Sequence, residues 1–253
     1  MVANISLKGK TAIVTGGTKN LGAQTAEELA SYGANLLLHY HSESEKANGE
    51  KLVNSLSSKY GVKVVLFQGD LSDEKTTASL FETVKEAFGS YDIAINNAGM
   101  VLKKPLAEIS LSEYDKMFSI NTRASFLFLR GVANTINEDG NVVMLVTSLL
   151  AAYTPYYSIY QAAKAAVEHM VKGLSKELQS KGISVNAVAP GPMDTPFLYG
   201  QETPEAIEYL KSAGGKGRLT KVEDIVPIVR FLVTEGGWIS GQTIFANGGF
   251  TAR

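Results

Sequence analysis

Short runs of apolar residues alternate along the chain with longer segments in which apolar residues recur at helical spacing. Runs such as TAIVTG and VVMLVTS are almost continuously apolar, which is typical of parallel strands buried on both faces. Several longer segments have apolar residues at i, i+3 and i+4 with charges between them, which indicates amphipathic helices. Strands are predicted at Thr11–Thr15, Asn35–Tyr40, Val62–Phe67, Ile93–Asn96, Asn141–Thr147, Ser184–Val188 and Thr243–Ala246.

The predicted helices occupy the intervals between these strands. Strand followed by helix throughout indicates βαβ units with right-handed crossovers. No linker, repeat or low-complexity tract divides the chain, so we expect one doubly wound α/β domain over residues 1–253, a Rossmann fold with a seven-stranded parallel sheet and helices on both faces. The proline- and glycine-rich stretch 190–220 is expected to be an irregular, mobile lid. The helices are predicted at Asn20–Tyr32, Glu43–Lys59, Glu74–Phe88, Leu111–Ile136, Tyr156–Lys181 and Lys221–Thr234.

Composition and charge exclude several function classes. The 253 residues carry 24 Lys+Arg and 25 Asp+Glu, so there is no overall electrostatic reason to bind nucleic acid or an anionic membrane. The absence of cysteine excludes disulfides, a thiolate nucleophile and cysteine-type metal sites. His39 and His41 would share a strand face but have no third ligand nearby, so no metal is expected. Without a signal peptide or a long apolar segment, the protein is expected to be soluble and cytoplasmic.

A glycine-rich turn, Thr15–Gly22, connects the first predicted strand to a helix. In such a turn, backbone N–H groups at the positive end of a helix can approach a pyrophosphate. A glycine pair can also form a tight turn that binds nothing. The position after the first strand of a parallel sheet favours nucleotide binding, because ligands bind beyond the carboxyl ends of strands where the winding reverses.

Tyr160 and Lys164 are four residues apart on a predicted helix, so the ammonium can lie near the phenol. A nearby cation stabilises phenolate and lowers a tyrosine pKa from about 10 towards the range that a general acid/base needs. The same spacing also occurs in surface Tyr–Lys pairs. Ser148, at the end of the preceding strand, supplies a hydroxyl twelve positions before Tyr160 and makes the surface interpretation less attractive.

In this order and spacing, the motifs resemble those of the short-chain dehydrogenase/reductase superfamily in its single-domain form. The resemblance covers essentially the whole chain. Thr15–Gly22 is similar to the TGxxxGxG cofactor turn, Asp70-Leu71 to the adenine-contacting pair, Asn96-Asn97-Ala98-Gly99 to the NNAG segment, Asn121, Ser148, Tyr160 and Lys164 to the catalytic tetrad, and Pro190-Gly191 with Thr195 to the PGxxxT segment beside the nicotinamide.

The resemblance implies reversible hydride transfer between nicotinamide C4 and a carbonyl carbon. Tyr160 would protonate the developing alkoxide and Ser148 would hydrogen-bond the carbonyl oxygen. Lys164 would lower the Tyr160 pKa and contact the ribose, and Asn121 would hold a water in the proton relay. The implied cofactor contacts are Gly16, Lys19, Asn20, Leu21, Gly22, Asp70, Leu71, Asn97, Ala98, Gly99, Tyr160, Lys164, Pro190, Gly191 and Thr195.

Two departures from the family pattern affect this site. Asn20 replaces the middle glycine of the cofactor turn; asparagine tolerates positive φ, so the turn can form, but its side chain intrudes where backbone normally meets the phosphates. The interval from Ser148 to Tyr160 is one residue shorter than the commonest family spacing. Thr147 is therefore an alternative source of the hydroxyl, although Ser148 is preferred.

The end of the second strand favours NADP(H) over NAD(H). Tyr40 stands where a carboxylate would bind the ribose 2′-OH of NAD, and His41 and Ser42 are possible donors to a 2′-phosphate. Lys19 in the cofactor turn can neutralise a phosphate, although it could also be a solvated loop cation. Glu43 and Glu45, just beyond the strand, slightly weaken this preference for NADP(H).

The substrate is less readable than the cofactor. Apolar and aromatic residues on two segments flanking the site could form a pocket, or could pack against the lid or a neighbouring subunit. They are Tyr153, Tyr156, Tyr157, Met193, Phe197, Leu198 and Tyr199, of which Tyr153, Tyr156, Met193 and Phe197 are the predicted substrate contacts.

A neutral ketone or other carbonyl compound is the expected substrate. Reduction of a 3-oxoacyl thioester is the alternative, and a non-catalytic nucleotide-sensing regulator stays open. An isomerase, epimerase or dehydratase is disfavoured because the chain has no C-terminal substrate domain. Apolar residues in 111–136, the Tyr160 helix and 238–250, by similarity to related proteins, favour a homotetramer with D₂ symmetry.

Overall fold

Seven parallel strands form one sheet at the centre of the protein, described here by a computed structural model of residues 5–252. Residues 1–4 and 253 of the predicted domain lie outside the described residues. The sheet order is β3-β2-β1-β4-β5-β6-β7, which confirms the predicted doubly wound α/β fold. The strands are β1 (Thr11–Thr15), β2 (Asn35–Tyr40), β3 (Val64–Gln68), β4 (Ile93–Asn96), β5 (Asn141–Leu145), β6 (Ser184–Pro190) and β7 (Thr243–Ala246).

Helices cover both faces of the sheet because alternate strand residues point to opposite sides. In β1, Ile13 belongs to one apolar cluster and Val14 to the other. No helix in residues 5–252 is long and apolar enough to span a membrane. The helices are α1 (Asn20–Ser31), α2 (Lys46–Tyr60), α3 (Glu74–Phe88), α4 (Leu111–Phe118), α5 (Ala124–Thr135), α6 (Leu149–Ala152), α7 (Ser158–Glu177), α8 (Pro196–Tyr199), α9 (Pro204–Ala213) and α10 (Val222–Leu232).

The winding reverses at β1, which pairs with β2 on one side and β4 on the other. A crevice therefore opens beyond the carboxyl ends of these two strands. The segments that follow β1, β4, β5 and β6 all start at this edge of the sheet. The fold thus brings the motifs singled out in the sequence to one place.

Three expectations need correction. The helix predicted over Leu111–Ile136 is interrupted by a π-helical turn at Ser119–Arg123. The stretch 190–220 is not irregular throughout, because it contains α8 and α9, and α9 starts with the Thr203 side chain as its N-cap and proline at its first position. The fifth strand ends at Leu145, two residues earlier than predicted, which leaves Thr147 and Ser148 outside the regular ladder.

Candidate active site

A cavity of about 270 Å³ lies at this edge of the sheet, and most of the predicted site residues line it. The lining comes mainly from the segments after β1, β4, β5 and β6 and from α7, together with Leu210 of α9 and Phe250 after β7. The predicted residues that line the cavity are Gly16, Lys19, Asn20, Leu21, Asn97, Ala98, Gly99, Ser148, Tyr160, Lys164, Pro190, Gly191, Met193, Thr195 and Phe197.

The other predicted site residues lie around the cavity without lining it. Asp70 is exposed and accepts a hydrogen bond from the Ser72 N–H at 2.9 Å, whereas Leu71 is buried in the core. Tyr40, His41 and Ser42 lie at the end of β2. The residues outside the lining are Gly22, Tyr40, His41, Ser42, Asp70, Leu71, Asn121, Tyr153 and Tyr156.

The glycine-rich turn Thr15–Gly22 brings the start of α1 to the cavity. Asn20 has a φ of 46°, which bears out the expectation that asparagine can replace the middle glycine. No side chain caps the start of α1, so its first N–H groups face the cavity without a side-chain acceptor. A Cβ on Gly22 would lie 2.0 Å from the Gly16 carbonyl oxygen, so only glycine lets α1 pack this closely against the turn.

A buried histidine that the sequence analysis considered only as a metal ligand supports this turn. His39 Nδ1 accepts from the Gly16 N–H at 3.3 Å, and its Nε2 lies 2.9 Å from the Gly69 carbonyl oxygen. Burial lowers the pKa of His39 to about 4, so the ring is neutral, with Nε2–H as the donor. His39 therefore ties the cofactor turn to the loop after β3.

The adenosine end of the crevice carries a charged pair. Lys19 Nζ lies 3.0 Å from Glu45 Oε1, while Glu45 Oε2 is buried without a hydrogen-bond partner. Tyr40 is buried and its hydroxyl donates to Gln68 Oε1 at 3.3 Å. Lys19 thus has a carboxylate partner that would compete with a bound phosphate.

Tyr160 and Lys164 lie together in the cavity wall and both are buried. Burial raises the pKa of Tyr160 to about 12, against a lowering contribution from its hydrogen bond with the Thr147 side chain. Burial lowers the pKa of Lys164 to about 8, and its ammonium donates to the Leu145 carbonyl oxygen at 2.9 Å. The expected lowering of the Tyr160 pKa by Lys164 is therefore wrong, because burial dominates and raises that pKa.

Thr147 and Ser148 both line the cavity with Tyr160, but their hydroxyls have different partners. Ser148 Oγ donates to the Ala189 carbonyl oxygen at 3.0 Å and is buried against β6. Thr147 Oγ1 accepts from the Leu149 N–H at 3.2 Å, and the Thr147 side chain lies close enough to the Tyr160 phenol to lower its pKa. The geometry thus favours the alternative suggested by the short interval between Ser148 and Tyr160.

Asn121 lies in the π-helical turn between α4 and α5 and is completely buried. Its Nδ2 donates to the Met100 carbonyl oxygen at 2.9 Å, and its Oδ1 accepts from the Met100 N–H at 3.2 Å. The same Nδ2 also contacts Met117. The amide therefore holds the loop after β4 in place beside Lys164, and single-turn π-helices of this kind recur at functional sites.

Two predicted substrate contacts do not reach the cavity. Tyr153 and Tyr156 are 77% and 54% exposed, and both have positive φ in the loop between α6 and α7. The cavity is lined instead by Tyr157 from this loop and by Gln201 and Glu202 from the segment between α8 and α9. Nothing in the local sequence pattern marked Glu202, which lies in the polar run Gln201-Glu202-Thr203.

Comparison with known proteins places the chain in a family. A family model described as enoyl-(acyl carrier protein) reductase matches residues 16–251. A short-chain type dehydrogenase/reductase of Picea abies is 36% identical over 251 residues, which cover 96% of this chain and 93% of that protein. The chain belongs to the short-chain dehydrogenase/reductase superfamily.

Two further relatives cover this short-chain dehydrogenase/reductase almost completely. A chloroplastic NADPH-dependent aldehyde reductase-like protein of Arabidopsis thaliana is 34% identical over 260 residues, or 97% of this chain and 96% of that protein. A solved structure from Burkholderia cenocepacia, described as a dehydrogenase with bound NADP, is 45% identical with a TM-score of 0.96 and covers 100% of this chain and 97% of that one. This short-chain dehydrogenase/reductase is an oxidoreductase.

Proposed function

We propose that the protein reduces an aldehyde or ketone to the alcohol, with Tyr160 as general acid and NADPH as the preferred hydride donor. The observation that carries this proposal is the cavity that joins the uncapped start of α1 to the buried Tyr160–Lys164 pair. Relatives named NADPH-dependent aldehyde reductase and a neighbour with bound NADP support the same reaction class.

The residues present fit a dinucleotide at this edge of the sheet. The first turn of α1 and the glycines of the cofactor turn would hold the pyrophosphate, and Asn97 and Gly99 would border the ribose and nicotinamide. Thr195 would bind the carboxamide. The bound cofactor supplies the hydride, and everything else in the reaction falls to the protein.

The protonation states of the site suit reduction. With a pKa raised to about 12, Tyr160 holds its proton at neutral pH and can give it to a carbonyl oxygen as negative charge develops there. The Thr147 side chain lines the cavity with Tyr160, lowers the Tyr160 pKa and would hydrogen-bond the same oxygen. Lys164 is mainly protonated at neutral pH, because its pKa is about 8, and its charge would stabilise the phenolate left behind. Asn121 would hold the water that returns a proton to Lys164.

The preference for NADPH rests on the adenosine end of the crevice. Tyr40 supplies no carboxylate to repel a 2′-phosphate, and Lys19 supplies a cation, although Glu45 reduces the effect of that cation. The alternative substrate, a 3-oxoacyl thioester, stays open because much of the cavity lining is apolar. A nucleotide-sensing regulator is disfavoured, since it would have no need for a buried Tyr–Lys pair.

Steady-state kinetics tests the proposal. We expect a higher kcat/KM with NADPH than with NADH across a panel of aldehydes, ketones and one 3-oxoacyl thioester. Tyr160→Phe should lose nearly all turnover yet bind NADPH, whereas the exposed Tyr209→Phe should behave as wild type. An NADH preference would contradict the cofactor assignment, and no turnover of any carbonyl would favour the regulator. The cytoplasmic location and the homotetramer stay predictions, the second of which light scattering can test.

A further inference from the structure

A buried carboxylate faces the substrate end of the cavity. Glu202 follows α8, and its side chain is only 4% exposed although it lines the cavity. Its Oε2 lies 2.5 Å from Lys103 Nζ, and its Oε1 accepts a hydrogen bond from the Tyr157 hydroxyl. We call Lys103, Tyr157 and Glu202 the Glu202 cluster. It joins the segment after α8 to the loop after β4 and to the loop before α7.

The charges of the Glu202 cluster balance within the protein. Burying a carboxylate is costly unless it is paired and hydrogen-bonded, and here Lys103 supplies the counter-charge. Burial and the neighbouring Glu202 raise the pKa of Tyr157, so its phenol stays protonated and donates to Glu202. A second contact holds the loops together, because the Lys103 N–H donates to Gln201 Oε1 at 2.9 Å. The cluster is thus a preformed wall of the site.

The atoms of this wall that can still form hydrogen bonds towards the cavity are acceptors. Each carboxylate oxygen can accept two hydrogen bonds and each has one protein donor; the Tyr157 oxygen also keeps accepting capacity. Of the two donors in the cluster, the Tyr157 hydroxyl is used by Glu202 and the Lys103 side chain does not line the cavity. The lining side chains Val101 and Phe197 are apolar. The Gln201 amide, which also lines the cavity, is bonded within the protein, because its Oε1 accepts from the Lys103 N–H and its Nε2 donates to the Gly200 carbonyl oxygen. A substrate donor would therefore be satisfied here, whereas a carboxylate would meet a like charge.

The Glu202 cluster is close to the reacting centre. The ring centroids of Tyr157 and Tyr160 are 6.3 Å apart, and both side chains line one cavity with Glu202, so a small molecule bound at Tyr160 lies beside the cluster. We propose that Glu202, with Tyr157 and Lys103, is a specificity site that selects carbonyl substrates bearing a hydroxyl or another hydrogen-bond donor and rejects those bearing a carboxylate. This inference rests on the proposed carbonyl reduction.

The test compares para-hydroxybenzaldehyde with benzaldehyde and para-carboxybenzaldehyde as matched substrates. For the wild type we expect about a tenfold higher kcat/KM for the hydroxy compound than for benzaldehyde, as one hydrogen bond to a charged acceptor allows. Glu202→Gln, which turns one oxygen into an amide donor and removes the charge, should bring this ratio close to one and improve use of the carboxylate. Glu205→Gln, on the exposed first turn of α9, is the control and should leave both ratios unchanged.

Tyr157→Phe should shift the ratio in the opposite direction. It removes only the hydroxyl that donates to Glu202 Oε1, so a substrate hydroxyl becomes the replacement donor for a buried carboxylate oxygen. We expect the hydroxy-to-plain ratio to rise above that of the wild type. Because ratios are compared within one variant, a general loss of activity cancels. A wild-type ratio in both variants would overturn the specificity site.

Calorimetric binding to the complex with NADP⁺ separates the two proposals. The probes are para-hydroxybenzamide and benzamide, which the enzyme has no reason to reduce. If no carbonyl is turned over but the hydroxyl preference in binding exists and Glu202→Gln removes it, the proposed function is wrong and the specificity site stands. If aldehydes are reduced with no hydroxyl preference in rate or binding, the reductase stands and the specificity site is wrong.

Discussion

Lys164→Met should stabilise the cofactor-free protein although it destroys activity. Burial lowers the pKa of Lys164 from its ordinary value of 10.5 to about 8. A difference of about 2.5 in pKa, at 1.36 kcal/mol for each, corresponds to about 3 kcal/mol against keeping the ammonium charged in the fold. Methionine has a similar length and no charge, but it leaves the Leu145 carbonyl oxygen without its donor, which costs about 1 kcal/mol. The expected net gain near neutral pH is about 2 kcal/mol.

The stability gained by Lys164→Met should change with pH between about 8 and 10.5. Below about pH 8 Lys164 is protonated in both the folded and the unfolded protein. The stability of the wild type is then lowered by the whole free-energy cost of burying the charged ammonium. Between about 8 and 10.5 the unfolded chain holds a proton that the folded protein lacks, so raising the pH favours the folded wild type. The advantage of Lys164→Met should therefore be largest near pH 7 and should shrink as the pH approaches 10.

Urea unfolding of the cofactor-free proteins at several pH values, at one protein concentration, measures this difference. Lys176→Met is the matched control, because Lys176 is exposed near the end of the same helix and its loss should change stability little. A Lys164→Met protein that is less stable than the wild type at pH 7, or a difference that is constant from pH 7 to 10, would refute the reasoning. Adding NADPH should reverse the order of stability, since the ammonium is expected to contact the ribose.

Three other predictions follow from contacts in the site. Thr147→Val should lower kcat about a hundredfold, whereas Ser148→Ala should lower stability by about 1 kcal/mol with a smaller effect on kcat; the reverse order of the two kcat values would restore Ser148 as the catalytic hydroxyl. Glu45→Gln should raise the ratio of kcat/KM for NADPH over NADH, because it frees the Lys19 ammonium for a phosphate, and a lower ratio would contradict this. Gly22→Ala should weaken NADPH binding in a fluorescence titration, because its Cβ would lie 2.0 Å from a carbonyl oxygen of the cofactor turn; wild-type affinity would contradict it.

The sequence by itself determined the architecture and the place of the site. Strand and helix periodicities are properties of neighbouring residues, so each element could be predicted from its own segment, and parallel winding then put the loops after the strands at one edge. The ability of Asn20 to adopt positive φ is likewise intrinsic to asparagine, and the structure shows it at 46°. For the same reason, the similarity of the cofactor turn to a known family was readable without coordinates.

Only the tertiary structure decided which side chains face the cavity. Beyond the end of β5 the two-residue alternation no longer applies. Thr147 and Ser148 both line the cavity, but Ser148 Oγ donates to Ala189 of β6 while the Thr147 side chain lowers the Tyr160 pKa, a difference that spacing alone could not resolve. Tyr153 and Tyr156, two predicted substrate contacts, have positive φ values and are exposed to solvent.

Interactions between distant segments were equally invisible in the sequence. Glu202 meets Lys103 across a separation of 99 residues, and no local pattern encodes such a pair. The pKa of Lys164 depends on the burial of its ammonium under the rest of the fold, not on the tyrosine four residues away. A pKa shift depends on the solvation of the group and on all nearby charges in three dimensions. Its direction could therefore be established only from the folded structure around the group.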